Sequence, residues 1–298
     1  MSNSALGIMA HLLASFFWGA AAPVVKLALE QGLAPFTFVF LRMILSLLIL
    51  LPFLLPKIKK HPVKSKDLPT VIIVGFLGIS VNIGLYFLGL SKTTVIDSSI
   101  IMAATSIFTA LAAFLFLKEK LTHQTIFGTL LSFSGIIVVI IEPLLETGFF
   151  QMDNIIGNLL TFGAMIGWVA YTILNKDISK KYNSLVLTYY SFAIGSLTFL
   201  PFAFKDVINP SFYFSLTPFL IFAILFETIF ATIFTYLLFT WGIKYISATV
   251  AGVLGYINPI VAILISIIFL NEKLTVPFIL GAGLIIVGII LVEIKSKR

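Results

Sequence analysis

"FLKEKLT" occupies residues 116–122 and "FLNEKLT" occupies residues 269–275, each at the end of a long apolar run. The two heptapeptides stand 153 residues apart, and the correspondence extends on both sides without a gap. Upstream, Gly89 falls on Gly242, Ile107 on Ile260 and Leu111 on Leu264. Downstream, Gly128 meets Gly281 and Gly135 meets Gly288. At a slightly different offset Trp18 meets Trp168, Ala14 meets Ala164 and Lys26 meets Lys176. Apolar helices match one another easily, so the paired Gly, Trp and charged positions carry the weight. The reading is a duplicated chain, with a first copy over 1–145 and a second over 146–298.

Composition places both copies in a membrane. Hydrophobic residues make up 60% of the chain and charged residues 10%, against about 25% charged in soluble domains. The mean hydropathy is +1.14. Apolar runs of roughly 20 residues recur from end to end, each long enough to cross a ~30 Å hydrocarbon layer as a helix. With no cysteine there are no disulfides and no thiolate metal sites. No HExxH or other metal-ligand spacing occurs, and no cofactor is expected. "AAAP" at 20–23 faintly resembles a signal-peptidase site, but it continues the repeat and is read as part of the first span.

The fold class expected is all-α and polytopic: ten spans at 6–29, 35–55, 68–90, 95–117, 124–141, 154–174, 184–204, 217–241, 248–270 and 276–294. Pro, Gly, Asn and charges mark the breaks, as in "KIKKHPVKSKDLP" (57–69) and "KDISKKYN" (176–183). The net charge of +7 is topological and does not point to nucleic acid. With the N-terminus cytoplasmic, Lys57, Lys59, Lys60, Lys64, Lys66, Lys118, Lys120, Lys176, Lys180, Lys181, Lys244, Lys295, Lys297 and Arg298 share one side. The opposite side keeps only Lys92, Lys205 and Lys273. The positive-inside rule then puts both termini in the cytoplasm.

Five spans per copy is an odd number, so the second copy enters the membrane the other way up. The result is a pair of inverted-topology repeats, an arrangement in which substrate binds near mid-membrane between the halves and access alternates. In the heptapeptides, Thr122 and Thr275 are expected N-caps, and Glu and Lys are expected to solvate the turn, the alternative being a gating contact.

The sequence resembles the drug/metabolite transporter superfamily, specifically its ten-helix EamA-type exporters. The resemblance rests on "SFFWGAAAPVVK" (15–26), "FLRMILSLL" (40–48), "FLKEKLT" with "GTLLSFSGIIVV" (128–139), and "GYINPIVAILISIIFLNEKLT" (255–275) with "GAGLIIVGIILV" (281–292). It covers essentially the whole chain. It implies a helical bundle around a central cavity lined mainly by spans 1, 3, 4, 6, 8 and 9, and export of amino acids, related metabolites or drugs, with protons as the exchanged ion. One departure stands out: Ser106 takes the place of the proline usual in the fourth span, while Pro259 is kept in the ninth. The fourth span is therefore expected to be the straighter of the two.

Glu227 is the sharpest signal, a carboxylate near the centre of "PFLIFAILFETIFATIFTYLLF" (218–239). At helix centre it costs about 2.5–3.5 kcal/mol on insertion scales, so it must face protein or water. Ala223, Ala231 and Thr235 flank it at helical spacing, a small-residue face suited to a cavity. It reads as a proton-coupling site or a counter-ion; the plainer alternative is a buried acid bonded to a neighbouring helix. Arg42 and Lys26 can each snorkel to the outer interface, the alternative being a gate salt bridge or an anchor for a substrate carboxylate. Asp97 is expected to be solvated. Trp18, Asn82, Tyr86, Trp168, Tyr171, Tyr236, Tyr256 and Asn258 are candidate cavity residues. Trp18 and Trp168 sit mid-span at matched positions, and Pro259 can free a backbone carbonyl beside Asn258. Trp241 and Tyr245 read as belt residues at the interface.

These features favour a secondary transporter in the cell membrane whose partners are a small-molecule substrate, lipid and protons. Whether the chain forms a homodimer is left open. No Walker A pattern occurs, so ATP hydrolysis by that route is excluded. A passive facilitator or channel is the runner-up. An intramembrane enzyme would need a constellation within the spans such as paired aspartates or Ser with His; Asp97 is the only Asp near a span interior and no GxSG accompanies a His at suitable depth, so no catalytic residue is assigned.

Overall fold

The computed structural model describes residues 3–60, 62–117, 123–149, 151–242, 245 and 254–293. Residues 118–122 of the first heptapeptide lie outside them, as does the expected cap Thr122. Several helices begin at residues whose side chains accept from the first turn. Thr94 accepts from the Asp97 N–H at 3.0 Å, Asn183 from Leu185 at 2.9 Å, Thr217 from Leu220 at 3.2 Å and Thr275 from Phe278 at 3.1 Å. Each satisfies one of the donors a helix start leaves bare. Thr275 is thus the N-cap that the sequence predicts.

In chain order the helices are α1 Asn3–Glu30, α2 Pro35–Lys60, α3 Leu68–Gly75, α4 Asn82–Leu90, α5 Val95–Ala103, α6 Thr105–Leu117, α7 His123–Ile140, α8 Glu142–Thr147, α9 Met152–Lys181, α10 Ser184–Val207, α11 Pro210–Ser215, α12 Pro218–Thr228, α13 Thr235–Gly242, α14 Ile257–Phe269 and α15 Val276–Glu293. A π-helical stretch, Phe76–Val81, joins α3 to α4, and a second, Ile229–Phe234, joins α12 to α13. The two π stretches are themselves 153 residues apart. Among the described residues, six helical stretches are long and apolar enough to cross a membrane. Four shorter apolar helices join them: Val95–Thr109, Ile126–Ile140, Ile257–Phe269 and Val276–Leu291. The exterior is apolar, with Phe53, Phe116 and Val276 each more than 70% exposed, as a lipid-facing surface requires.

Packing follows a paired pattern. α7 lies along α15 and α2 along α10, while α1 packs on α13 and α14 much as α9 packs on α4 and α6. In lipid, helices associate by close van der Waals fit, so small residues mark the contacts. A Cβ on Gly135 would stand 2.5 Å from the Gly281 carbonyl oxygen, and one on Gly288 the same distance from the Gly128 oxygen. These pairings make α7 and α15 antiparallel, so His123 and Val276 lie at opposite ends of the bundle.

Two expectations need correction. The helix carrying Trp168 does not stop at residue 174; α9 runs to Lys181. "KDISKK" holds no Gly or Pro, and Lys180 and Lys181 suit the negative end of the helix dipole. The fourth span is not straight either: it breaks at Ala104 without a proline. The Thr105 hydroxyl donates to the Met102 carbonyl at 2.6 Å, a local bond that competes with the helical ladder. Pro259, by contrast, sits in the first turn of α14, where its missing N–H costs nothing; the ninth span is interrupted before it, at Tyr256.

Candidate functional site

A cavity of about 380 Å³ opens between α1, α2, α4, α5, α6, α9, α12, α13 and α14. One face of α1 forms a long wall: His11, Ser15, Trp18, Ala22 and Val25 follow one another at steps of four and three. That spacing keeps them on a single side of the helix. Trp18, Asn82, Tyr86, Trp168, Tyr256 and Asn258 all line the cavity, as do Arg42 and Glu227. The sequence reading therefore brings together eight residues from six helices and the turn before α14.

Two of the expected residues lie elsewhere. Tyr171 is not among the lining residues; it stacks behind Trp168, with ring centroids 5.1 Å apart, and a Cβ on Gly78 would meet its ring. Lys26 lies towards the end of the bundle. Its ammonium donates to the carbonyls of Leu90 at 3.0 Å and Thr93 at 2.8 Å, the free acceptors at the end of α4. It neither snorkels nor reaches the cavity.

The chemistry of the site centres on one ion pair. Arg42 Nη1 stands 2.9 Å from Glu227 Oε2, and the Glu227 side chain is fully buried. Arg42 Nε donates to the Thr232 hydroxyl at 2.6 Å, and that hydroxyl donates to the Glu227 carbonyl at 2.7 Å. The guanidinium also lies over the Phe87 ring, 5.8 Å from its centroid. Arg42 therefore does not snorkel; the expected gate or anchor has become a buried pair with Glu227. The contact is close but not aligned, and neither carboxylate oxygen of Glu227 has a hydrogen-bond partner among the described residues. Ala223, Ala231 and Thr235 are all fully buried around it.

The π stretch after Glu227 puts a carbonyl to use. Trp18 Nε1 donates to the Ala231 oxygen at 3.1 Å, and its ring meets Tyr236 and Phe239 at 6.1 and 5.5 Å. Asn82, at the end of the matching π stretch, donates to the Ala164 carbonyl at 2.8 Å. Both polar groups are thus satisfied inside an apolar bundle, as they must be.

Several functional groups were not singled out by sequence. His11 lines the cavity and packs on Phe239 at 4.9 Å; its seven-residue spacing from Trp18 was the available signal. Ser99 and Thr105 line it from the broken fourth span. Asp97 is buried rather than solvated: Asn158 Nδ2 donates to its Oδ2 at 3.3 Å and to the Val139 carbonyl at 3.0 Å. Glu272 does not simply solvate its turn. Its two oxygens accept from the N–H groups of Val95 at 2.8 Å and Ile96 at 3.0 Å, the exposed donors of α5. Trp241 and Tyr245 meet at a tilt with ring centroids 4.9 Å apart and are about 40% exposed. Among the described residues, no three His, Asp or Glu side chains converge to hold a metal.

Comparison with known proteins places this geometry in context. The profile of the EamA-like transporter family matches residues 5–141 and 155–294. An uncharacterized transporter of Archaeoglobus fulgidus is 30% identical, covering 94% of this chain and 95% of its own. A second from the same organism is 25% identical, over 97% and 98%. The uncharacterized transporter YetK of Bacillus subtilis is 27% identical, over 94% of this chain and 84% of its own. One crystal structure shares the fold with a TM-score of 0.62 at 17% identity, covering 98% of each chain.

Proposed function

The chain belongs to the EamA-like transporter family and is a multi-pass membrane protein, and from that footing we propose that it is a secondary active transporter whose substrate site is the central cavity. Its substrates are amino acids, related small metabolites or drugs, moved outward across the cell membrane by alternating access. The single observation that carries this reading is the buried Arg42–Glu227 pair standing on the wall of a cavity at mid-bundle. Charges in such a place are costly and mark substrate or ion pathways. Trp18, Asn82, Tyr86, Trp168, Tyr256 and Asn258 contact substrate; Glu227 couples its movement to protons, with Arg42 as counter-charge.

Alternating access needs two halves that can rock. The two-part family match, the 153-residue spacing of the π stretches and the antiparallel α7–α15 contact all support ten spans arranged as two inverted five-span repeats. The distribution of lysines supports cytoplasmic termini. At the end of the bundle carrying residues 91–94, a set of ties supports a closed gate. Lys26 holds the end of α4 and Glu272 holds the start of α5, Thr275 donates to Glu142 at 2.6 Å and Thr217 to Gln31 at 2.9 Å.

The test begins with a thermal-shift screen of purified protein against amino acids, polyamines, nucleosides and drugs, since a ligand of the folded state raises apparent stability. A hit is then followed in proteoliposomes under an imposed pH gradient. Accumulation of the hit against its own gradient is expected. Equilibration without accumulation would make the protein a facilitator.

A further inference from the structure

The Arg42–Glu227 pair also limits what the cavity accepts. Arg42 and Glu227 are the charged side chains among the lining residues, and they neutralise each other. The rest of the wall is aromatic, aliphatic or neutral-polar, with His11 the further titratable group and the phenols of Tyr86 and Tyr236 facing the same space. A single unpaired charge moved into such surroundings costs several kcal/mol after relaxation. A substrate with a single charge must therefore take one member of the pair as its partner, and the member left over must be dealt with.

The two members are not equivalent. A carboxylate can bind a proton and become neutral; a guanidinium cannot lose one in a protein. An anion that takes Arg42 leaves Glu227, which can then be protonated. A cation that takes Glu227 leaves Arg42 charged and unpartnered, with no compensating step. The geometry favours the first exchange. Glu227 contributes only one close approach to Arg42, and neither of its oxygens is held by an aligned hydrogen bond. Arg42, by contrast, is anchored through Nε to Thr232 and through its face to Phe87, so it keeps its place when its partner changes.

We propose that the cavity takes an organic monoanion, a carboxylate on an apolar body with no cationic group, together with one proton. The substrate carboxylate replaces that of Glu227 on Arg42, and the proton is bound by the freed Glu227 carboxylate; no bond to carbon changes and no electrons are transferred. The body packs among Trp18, Tyr86 and Trp168. The net charge of the occupied site equals that of the empty one, so loading is electroneutral. This inference rests on the cavity being the substrate site and narrows its substrate class to metabolites and drugs that are monoanions, leaving out the zwitterionic amino acids.

The probe is phenylacetate, with phenylacetamide and phenethylamine as its neutral and cationic counterparts; a single ring with a short arm fits a volume of about 380 Å³. Titration calorimetry of the full chain in detergent, in two buffers of different protonation enthalpy, counts protons taken up per ligand bound. Phenylacetate is expected to bind the wild-type protein with uptake of one proton. Its Kd should rise about tenfold per pH unit where Glu227 is ionised, as linkage of one proton requires. In E227Q, phenylacetate should bind with no proton uptake and no such pH slope. H11Q, whatever its affinity for phenylacetate, should keep the uptake of one proton and the pH slope, which assigns the proton to Glu227 and not His11. Phenethylamine should not bind.

Binding of phenylacetate to the wild-type protein without proton uptake overturns the inference; so does binding of phenethylamine as tight as that of phenylacetate, or of phenylacetamide alone. The wild-type proton count decides even if E227Q does not fold. Failure of all three probes also overturns it, while a thermal-shift hit of another class would leave the transport role standing.

Discussion

The Ser132 hydroxyl donates to the Ile285 carbonyl at 3.1 Å, and the two residues are 153 positions apart. Residues at the interval of the sequence repeat are in contact with each other at the middle of the α7–α15 interface. On either side Gly128 faces Gly288 and Gly135 faces Gly281, so the contact reads the same from both helices. Such a seam is what the proposed inverted repeat requires.

That seam makes a prediction about substitution. A Cβ on Gly288 would collide with Ser132 and stand 2.5 Å from the Gly128 carbonyl oxygen. Gly288→Val should lower stability by at least the ~1–3 kcal/mol of an overpacked core. Gly283, on the same helix, has nothing within 4 Å. Gly283→Ala should be neutral or raise stability by up to about 1 kcal/mol, because alanine is the better helix former. Denaturation in detergent compares the two; equal losses would mean that α7 and α15 do not pack as described.

The buried pair predicts non-additivity. At a pH high enough to keep the freed Glu227 ionised, Arg42→Met leaves its charge alone in an apolar wall, an arrangement that costs about 3–5 kcal/mol in other proteins. Adding Glu227→Gln removes the stranded charge, so the double variant should be more stable than Arg42→Met alone. A thermal-melt comparison of the wild type, both single variants and the double variant checks this. A double variant less stable than Arg42→Met would show that the two side chains are not coupled.

Glu272 caps α5 across the bundle with both carboxylate oxygens. Glu272→Ala should cost about 0.5–2 kcal/mol, the range for loss of an N-cap. The exposed neighbour Lys273 makes a matched control: Lys273→Ala should stay within about 0.5 kcal/mol of wild type. Hydrogen exchange at the Val95 and Ile96 amides gives a local readout. Their protection should fall in Glu272→Ala and be unchanged in Lys273→Ala.

Glu142, in α8 beyond the end of α7, carries a pH signature. Burial pushes its carboxyl above the ordinary carboxylate range, the hydrogen bond from Thr275 pulls it down, and nearby Glu146 raises it again. A raised folded value means that Glu142 contributes to stability below its unfolded titration range. The contribution is lost as the pH rises through the folded value. At neutral pH, Glu142→Gln should therefore melt higher than wild type, since the amide oxygen still accepts from Thr275. The difference should vanish towards pH 4. A variant that melts lower at neutral pH would reverse the sign and contradict the burial argument.

Much of this was legible in the sequence because membrane helices write their limits in hydropathy and their contacts in small residues. The heptapeptide repeat, the Gly pairs and Glu227 each have a distinctive residue in a setting where chance offers only Leu, Ile and Phe. What escaped was long-range polar pairing. Nothing local says that Arg42 meets Glu227, that Lys26 reaches the carbonyls of Leu90 and Thr93, or that Glu272 crosses to α5. Each is a partner choice between segments 64 or more residues apart, and the default for a lone charge near a helix end is snorkelling. The break at Ala104 escaped because a proline was the sign expected, while the Thr105 hydroxyl does the work locally. The π stretches have no composition signal of their own.

The account depends most on the second half standing upside down relative to the first. The chain lacks cysteine, so Lys120→Cys and Lys273→Cys each introduce a single reporter in the two heptapeptide turns. Membrane-impermeant maleimide applied to intact cells should label Lys273→Cys at once, and Lys120→Cys only after permeabilisation. Labelling of both from the same side would contradict the inverted arrangement, and with it the alternating cavity.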